Sequence, residues 1–235
     1  LADSTVSNIE VINSTFESDN KVSAVAAVQD NSKIDDVEVD SSTNILGGEA
    51  AAGISAEMIE GSQINDTSVS ASIEGHKVAG ITADSIGGEI RKAEFIGSLS
   101  SSNIGATAGI VHTSDSTDVI ESYSNAEFND AEPAALVSQA VGTTTVTDSF
   151  SNNVYNNPDA ESLMIYEAGQ NSQVYSSYTA NSVPYQESYE DGDLSEVSDW
   201  QNVYWNTDQS SYSGELTHAT GLTSTEMQQQ SNFEG

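Results

Sequence analysis

Hydrophobic positions recur along this chain on two scales. The short scale is an alternation: in "TSVSASIEG" (67–75) every second residue is polar, the period-two pattern of a strand with one buried side. Segments of this kind are short, rich in β-branched residues and bounded by Gly, Asn, Asp and Ser, which predicts short strands joined by tight turns. Only the neighbourhood of Met227 suggests a helical turn. The long scale is a repeat. Aliphatic residues open successive units at Val6, Ile34, Ile64, Ile90, Val119, Val146 and Val174, with spacings of 28, 30, 26, 29, 27 and 28. A second apolar zone follows, at Ile73, Leu99, Phe128 and Val154. Then comes a small-small-aliphatic phrase: Ala52-Gly53-Ile54, Ala79-Gly80-Ile81, Ala108-Gly109-Ile110 and Ala134-Ala135-Leu136. A looser version lies in "VSAVAAVQDN" (22–31), with Ala27 in the second small position.

Short strands at a fixed period, with the drift taken up in loops, predict a stacked β architecture. A propeller blade needs about 40–50 residues, so this unit is too short for one. A coil of two or three strands fits, and stacking joins the inward rows into one core. The expected fold is therefore all-β: a β-solenoid (β-helix) of about seven coils, roughly 28 residues per coil, with an irregular C-terminal cap. Residues 1–183 form the solenoid and 184–235 the cap, where Trp200, Tyr204 and Trp205 plug the last coil. The small pair is read as a packing device, placed where backbone approaches backbone.

Some of these residues also carry a resemblance. "VIESYSNAEF" (119–128), "PAALVSQAVGT" (133–143) and "VTDSFSNNVY" (146–155) share one form, and the tail "VYWNTDQSSYSGELTHATGLTSTEM" (203–227) closes the array. Together they resemble GLUG-motif repeats, found in surface adhesins and in the non-catalytic stretch of bacterial IgA-cleaving zinc metalloproteases. The resemblance implies a β-helical extracellular module and supplies no active site. The chain departs from it at Ala27, Ala135 and Met164, where the family prefers Gly.

Charge narrows the function classes. Five Lys+Arg face 37 Asp+Glu, for a net charge of −32. The carboxylates are scattered singly between regularly spaced aliphatics, unlike the clumped charge of a disordered acidic tail. Self-repulsion at this charge opposes compaction, but at 1 M salt the Debye length falls to about 3 Å. The composition reads as that of a halophile, with an ordinary acidic extracellular protein as the alternative. Lys21, Lys33, Lys77, Arg91 and Lys92 are too few to neutralise phosphate, so nucleic acid and anionic lipid are not expected partners. The chain has no cysteine, and no apolar run approaches the roughly 18 residues that span a bilayer. Beginning Leu1-Ala2-Asp3, it reads as processed or as part of something longer.

Catalytic signatures are missing. His76, His112 and His218 form no His-x-x-x-His pair, and neither a zinc-protease motif nor a nucleophile elbow occurs. Solenoid polysaccharide lyases and hydrolases use carboxylates on one face, and Asp35-Asp36, Asp115/Asp118 and Glu190-Asp191/Asp193 are the candidates. Among 37 carboxylates such pairs arise by chance, and no basic partner is expected beside them to anchor an anionic sugar. In "YEDGDLSEVSD" (189–199), Glu190, Asp191, Asp193 and Glu196 surround a Gly as hard oxygen ligands. Calcium is the one cofactor this suggests, against a plainly solvated acidic loop. Tyr175, Tyr178, Tyr185 and Tyr189 are candidate contact residues, since aromatics concentrate at binding surfaces. Asn13-Ser14-Thr15 and Asn65-Asp66-Thr67 are glycosylation sequons.

The expected function is non-enzymatic: an extracellular recognition, adhesion or spacer module in high salt, on a cell surface or a virion. Its expected partner is a cell-surface protein or glycan receptor, and homo-oligomers are compatible with the sequence. The alternative is an accessory region of a large secreted hydrolase such as a metalloprotease.

Overall fold

The computed structural model describes residues 1–101, 107–129, 133–156, 163–169, 171–181, 199–209, 216 and 218–229. The chain winds as a parallel β-solenoid of about six turns spaced about 28 residues apart. In coils 1 to 4 each turn lays one strand on each of two faces and a bent pair on a third. In coil 1 these are Thr5–Val11, then Thr15–Ser18, then Lys21–Ser23 with Ala26–Gln29. Every strand pairs in parallel with its equivalent one coil away.

The long period becomes a ladder. Val6, Ile34, Ile64, Ile90, Val119, Val146 and Val174 are register partners in succession, and the series continues to Trp200. From Ile34 to Val174 each rung is sealed from solvent. A second ladder runs Phe16, Ile45, Ile73, Leu99, Phe128 and Tyr155. Here the periodicity misplaces one residue: Val154 is 54% exposed and Tyr155 takes the rung. The reason is aromatic packing, for Tyr155 stacks on Phe128 with ring centroids 5.5 Å apart.

The third face is bent. A straight strand would separate Lys77 and Asp84 by roughly 23 Å, yet their side chains meet at 3.2 Å. The bend lies at Gly80-Ile81, between the strands Lys77–Ala79 and Thr82–Ile86. A Cβ built on Gly53 would collide with the carbonyl oxygen of Gly80, one on Gly80 with that of Gly109, and one on Gly109 with that of Ala135. The small-small-aliphatic phrase is thus a backbone-against-backbone contact, as its composition implied. Its first copy is displaced from the expected position. Ala24 donates to Gly53 O (3.3 Å), so Ser23-Ala24-Val25 form the bend in coil 1, while Ala27 and Val28 are exposed. At the other end Met164 alone stands opposite Ala135 and Leu136, and the register shifts there.

Two columns of left-handed backbone recur along the coils. One crosses the middle of the first face at Asn8, Asp36, Asp66, Lys92, Glu121, Asp148, Ser176 and Asn202, with φ between 48° and 56°. The other marks the corner before that face at Asp3, Asn31, Gly61, Gly87, Ser116 and Gly142. Asn, Asp and Gly tolerate this region; Lys and Glu rarely enter it. The coils above and below therefore impose it on Lys92 and Glu121. In coils 1 to 4 the first-face strand passes through the kink unbroken, as in Glu89–Phe95. In coil 5 and beyond it divides, into Asp118–Ile120 and Tyr123–Ser124, Thr145–Thr147 and Phe150–Ser151, Gln173–Tyr175 and Tyr178–Thr179, and Asp199–Gln201 and Tyr204–Asn206.

Serine satisfies the backbone where the strand divides. The Ser122 hydroxyl donates to Ile120 O (2.9 Å) and accepts the N–H of Ala93 from the preceding coil (3.3 Å). Ser149 repeats this with Thr147 O (2.9 Å) and the Ser122 N–H (3.1 Å). Ser177 does so with Tyr175 O (2.8 Å) and the Ser149 N–H (3.2 Å). Such side-chain partners are required because a buried N–H outside the ladder otherwise remains unpaired. Beyond the strands, Glu226–Gln228 form the one 3₁₀ turn among the described residues, beside Met227 as the sequence suggested.

Candidate binding face

The first face carries the largest change in outward chemistry. One outward column reads Glu10, Glu38, Ser68, Glu94, then Tyr123, Phe150 and Tyr178, and its register continues to Tyr204, which is buried. Across the left-handed residue, a second reads Ser7, Asp35, Asn65, Arg91, then Ile120, Thr147, Tyr175 and Gln201. The first column turns from charged or polar to aromatic between coils 4 and 5; the second gains Ile120 and Tyr175 but keeps the polar Thr147 and Gln201. The structure therefore brings Tyr175 and Tyr178 onto one face and adds Tyr123, Phe150 and Ile120, which lie too far apart in sequence to suggest a cluster.

Geometry constrains how this strip presents itself. Tyr123 and Phe150 stack with centroids 4.1 Å apart and planes at 25°; Phe150 and Tyr178 stack at 5.2 Å and 5°. The rings use their faces on one another and turn their edges outward. Burial raises the Tyr123 hydroxyl above its ordinary value, Glu94 adds to the rise, and a hydrogen bond with Asn152 opposes it. Burial likewise raises Tyr178. Both phenols stay protonated as hydrogen-bonding groups at the rim of a rigid sheet.

Behind the aromatics the interior is polar. Ser124, Ser151 and Thr179 follow Phe95 inward, all without exposure. Asn153 is buried and accepts from Ser124 Oγ (2.8 Å) and the Ala126 N–H (2.7 Å).

A second set of titratable groups lies in the bend of the third face. Lys21 Nζ meets Glu57 Oε2 at 2.7 Å, a hydrogen bond that raises the lysine above its ordinary value. His112 is 4% exposed with Nδ1 2.9 Å from Thr113 Oγ1. Burial holds it at about 4, Lys77 pushes the same way and Asp84 opposes. These carboxylates are matched by lysine. Against the expectation, one acidic pair does have a basic neighbour, since Lys33 meets Asp35 at 3.0 Å from two residues away on the same strand; Asp115 and Asp118 lie on different faces either side of a corner. Among the described residues no group of three or more His, Asp or Glu could hold a metal ion. The three histidines lie apart, His76 beside the second face, His112 on the third and His218 near the C-terminus. Glu190, Asp191, Asp193 and Glu196, with Tyr185 and Tyr189, fall outside the described residues. Trp200, Tyr204 and Trp205 are buried at 7%, 8% and 2% exposure, packing where the ladder ends. No described helix is long and apolar enough to cross a membrane.

Comparison with known proteins returns no match: no family model, no curated protein and no solved structure corresponds to this chain.

Proposed function

We propose that this chain is a non-enzymatic recognition module that works outside the cell in high salt, on a cell surface or a virion. Its first face in coils 5 to 7 meets a cell-surface protein or a glycan. One observation carries the reading: an outward column that holds Glu38 and Glu94 in the earlier coils holds Tyr123, Phe150 and Tyr178 in the later ones, with Ile120 and Tyr175 beside them across the left-handed residue. A solenoid gives such a strip a stiff backing, because each rung is hydrogen-bonded to the next. Rigid aromatics give contact area at low entropic cost. The net charge of −32 favours neutral or cationic partners over anionic ones, and the resemblance to GLUG-motif repeats adds support.

The test is binding of the folded, labelled chain in molar NaCl to arrayed neutral glycans and arrayed cell-surface proteins. Tyr178→Ser and Ile120→Ser are expected to weaken capture at least tenfold, while Glu38→Ser leaves it unchanged. Capture that ignores the first two substitutions, or no capture at all, refutes the reading. Melting temperatures of the variants separate lost contact from lost fold.

A further inference from the structure

The two sequons lie in opposite structural settings. Asn13 is exposed at the turn after the first strand, with φ 47°, its N–H held by Asp40 Oδ1 and Ser42 Oγ, both at 3.2 Å. Those contacts fix the backbone and leave the side-chain amide facing solvent. Thr15, two residues on, is exposed at the start of Thr15–Ser18, a strand paired with Asn44–Gly47 at one edge of the second sheet. Asn65 sits instead within Gln63–Val69, between Lys33–Val39 and Glu89–Phe95 and bonded to both. Its Oδ1 is buried without a partner. Thr67 points inward at 2% exposure in the column of Val37 and Ala93, and its hydroxyl is buried and unpaired.

We infer that Asn13 is an N-glycosylation site of the folded chain and that Asn65 is closed to the same chemistry. A transferring enzyme must reach the asparagine amide and the hydroxyl two residues later together, on a segment it can draw into its own cleft. A turn beside an edge strand allows this. A central strand does not, because exposing Thr67 means pulling Gln63–Val69 out of two ladders. In the reaction Asn13 Nδ2 attacks the anomeric carbon of a lipid-phosphate-linked oligosaccharide. The new N–C bond forms as the C–O bond to phosphate breaks, Nδ2 gives up one proton, and the lipid phosphate leaves. The inference does not depend on which ligand the aromatic strip takes.

The experiment incubates the folded chain in molar salt with a salt-tolerant oligosaccharyltransferase and a lipid-linked oligosaccharide. Peptide mapping by mass spectrometry then locates the sugar. One glycan per chain is expected, on the peptide that contains Asn13. Thr15→Val is expected to abolish it without touching the left-handed residue, and Thr67→Val to leave it unchanged. A chain unmodified at Asn13, or modified at Asn65 while its circular dichroism is still that of the folded state, overturns the inference. The map of the unsubstituted chain decides the matter even if a variant folds poorly.

Discussion

Coils 1 to 4 and coils 5 to 7 build the second half of their first face with opposite polarity. In the earlier coils the positions after the left-handed residue point Val37, Val39, Val69, Ala93 and Phe95 inward, with Thr67 a polar exception, and Glu38 and Glu94 outward. In the later coils Ser122, Ser124, Ser149, Ser151, Ser177 and Thr179 point inward, and Tyr123, Phe150 and Tyr178 outward. The third face changes along the same direction. Ala56 and Ala83 give way to His112, and the bend glycines Gly53, Gly80 and Gly109 give way to Ala135 and then Met164. The earlier coils are held by apolar burial around a tight backbone contact. The later ones are held by hydrogen bonds inside and ring stacking outside, which releases the aromatic residues to a surface. A solenoid tolerates this exchange because each coil needs to match only its neighbours.

The largest effect is expected where the earlier design is tightest. Gly80→Ala places a methyl against the Gly109 carbonyl and the Phe95 ring, neither able to retreat. A loss of about 3 kcal/mol is expected in chemical or thermal denaturation. Ala135→Gly, at the equivalent later position, should cost no more than about 1 kcal/mol. Similar costs at the two sites would break the comparison.

His112 comes next. Burial holds its folded pKa at about 4, below the ordinary histidine value of 6.5, so the unfolded chain takes up the proton first. Stability is therefore full above pH 6.5 and falls, as pH drops toward 4, by up to about 3 kcal/mol. His112→Ala gives coil 4 the alanine of coil 3 and should remove that acid-side slope in melts across the range. A variant as acid-sensitive as the parent would show that the slope belongs to other groups.

Ser149→Ala leaves the buried Ser122 N–H without its acceptor and should cost roughly 1–3 kcal/mol. The reverse change in the earlier coils, Ala93→Ser, should cost less, since a serine there can repeat the same pair of bonds. If both are neutral, the serine column is not what holds the divided strands.

The smallest effect concerns charge. Glu10 and Glu38 are register partners, and like charges placed opposite one another destabilise by a few tenths of a kcal/mol. Glu38→Gln should raise the melting temperature slightly in dilute buffer and not in molar salt, where screening is short-ranged. The parent chain itself should melt higher as KCl or NaCl rises into the molar range. A flat curve would sink the high-salt reading.

Much of this fold was legible. The ladder from Val6 to Val174 followed from counting aliphatics, and the bend glycines from a recurring phrase. Val154 and Ala27 were misread because alternation cannot tell which of two adjacent small or apolar residues turns inward; stacking on Phe128 and the hydrogen bond from Ala24 decide that. The left-handed column had a signal, an Asn or Asp two residues after most ladder aliphatics, but Lys92, Glu121 and Ser176 break it. The candidate face was half legible. Tyr175 and Tyr178 stood out as aromatics, while Tyr123, Phe150 and Ile120 join them only through coil-to-coil register.

By itself the sequence determined the class of the molecule. A period near 28 with β-branched alternation leaves stacked coils as the arrangement in which every inward row is covered. Which residues share a surface was decided by tertiary structure alone. Parallel stacking sets neighbours about 28 residues apart side by side at roughly 4.8 Å, a relation that no local pattern encodes. The same stacking separates the two sequons, leaving Asn13 at a turn and sealing Thr67 in the core, although both have the same local motif.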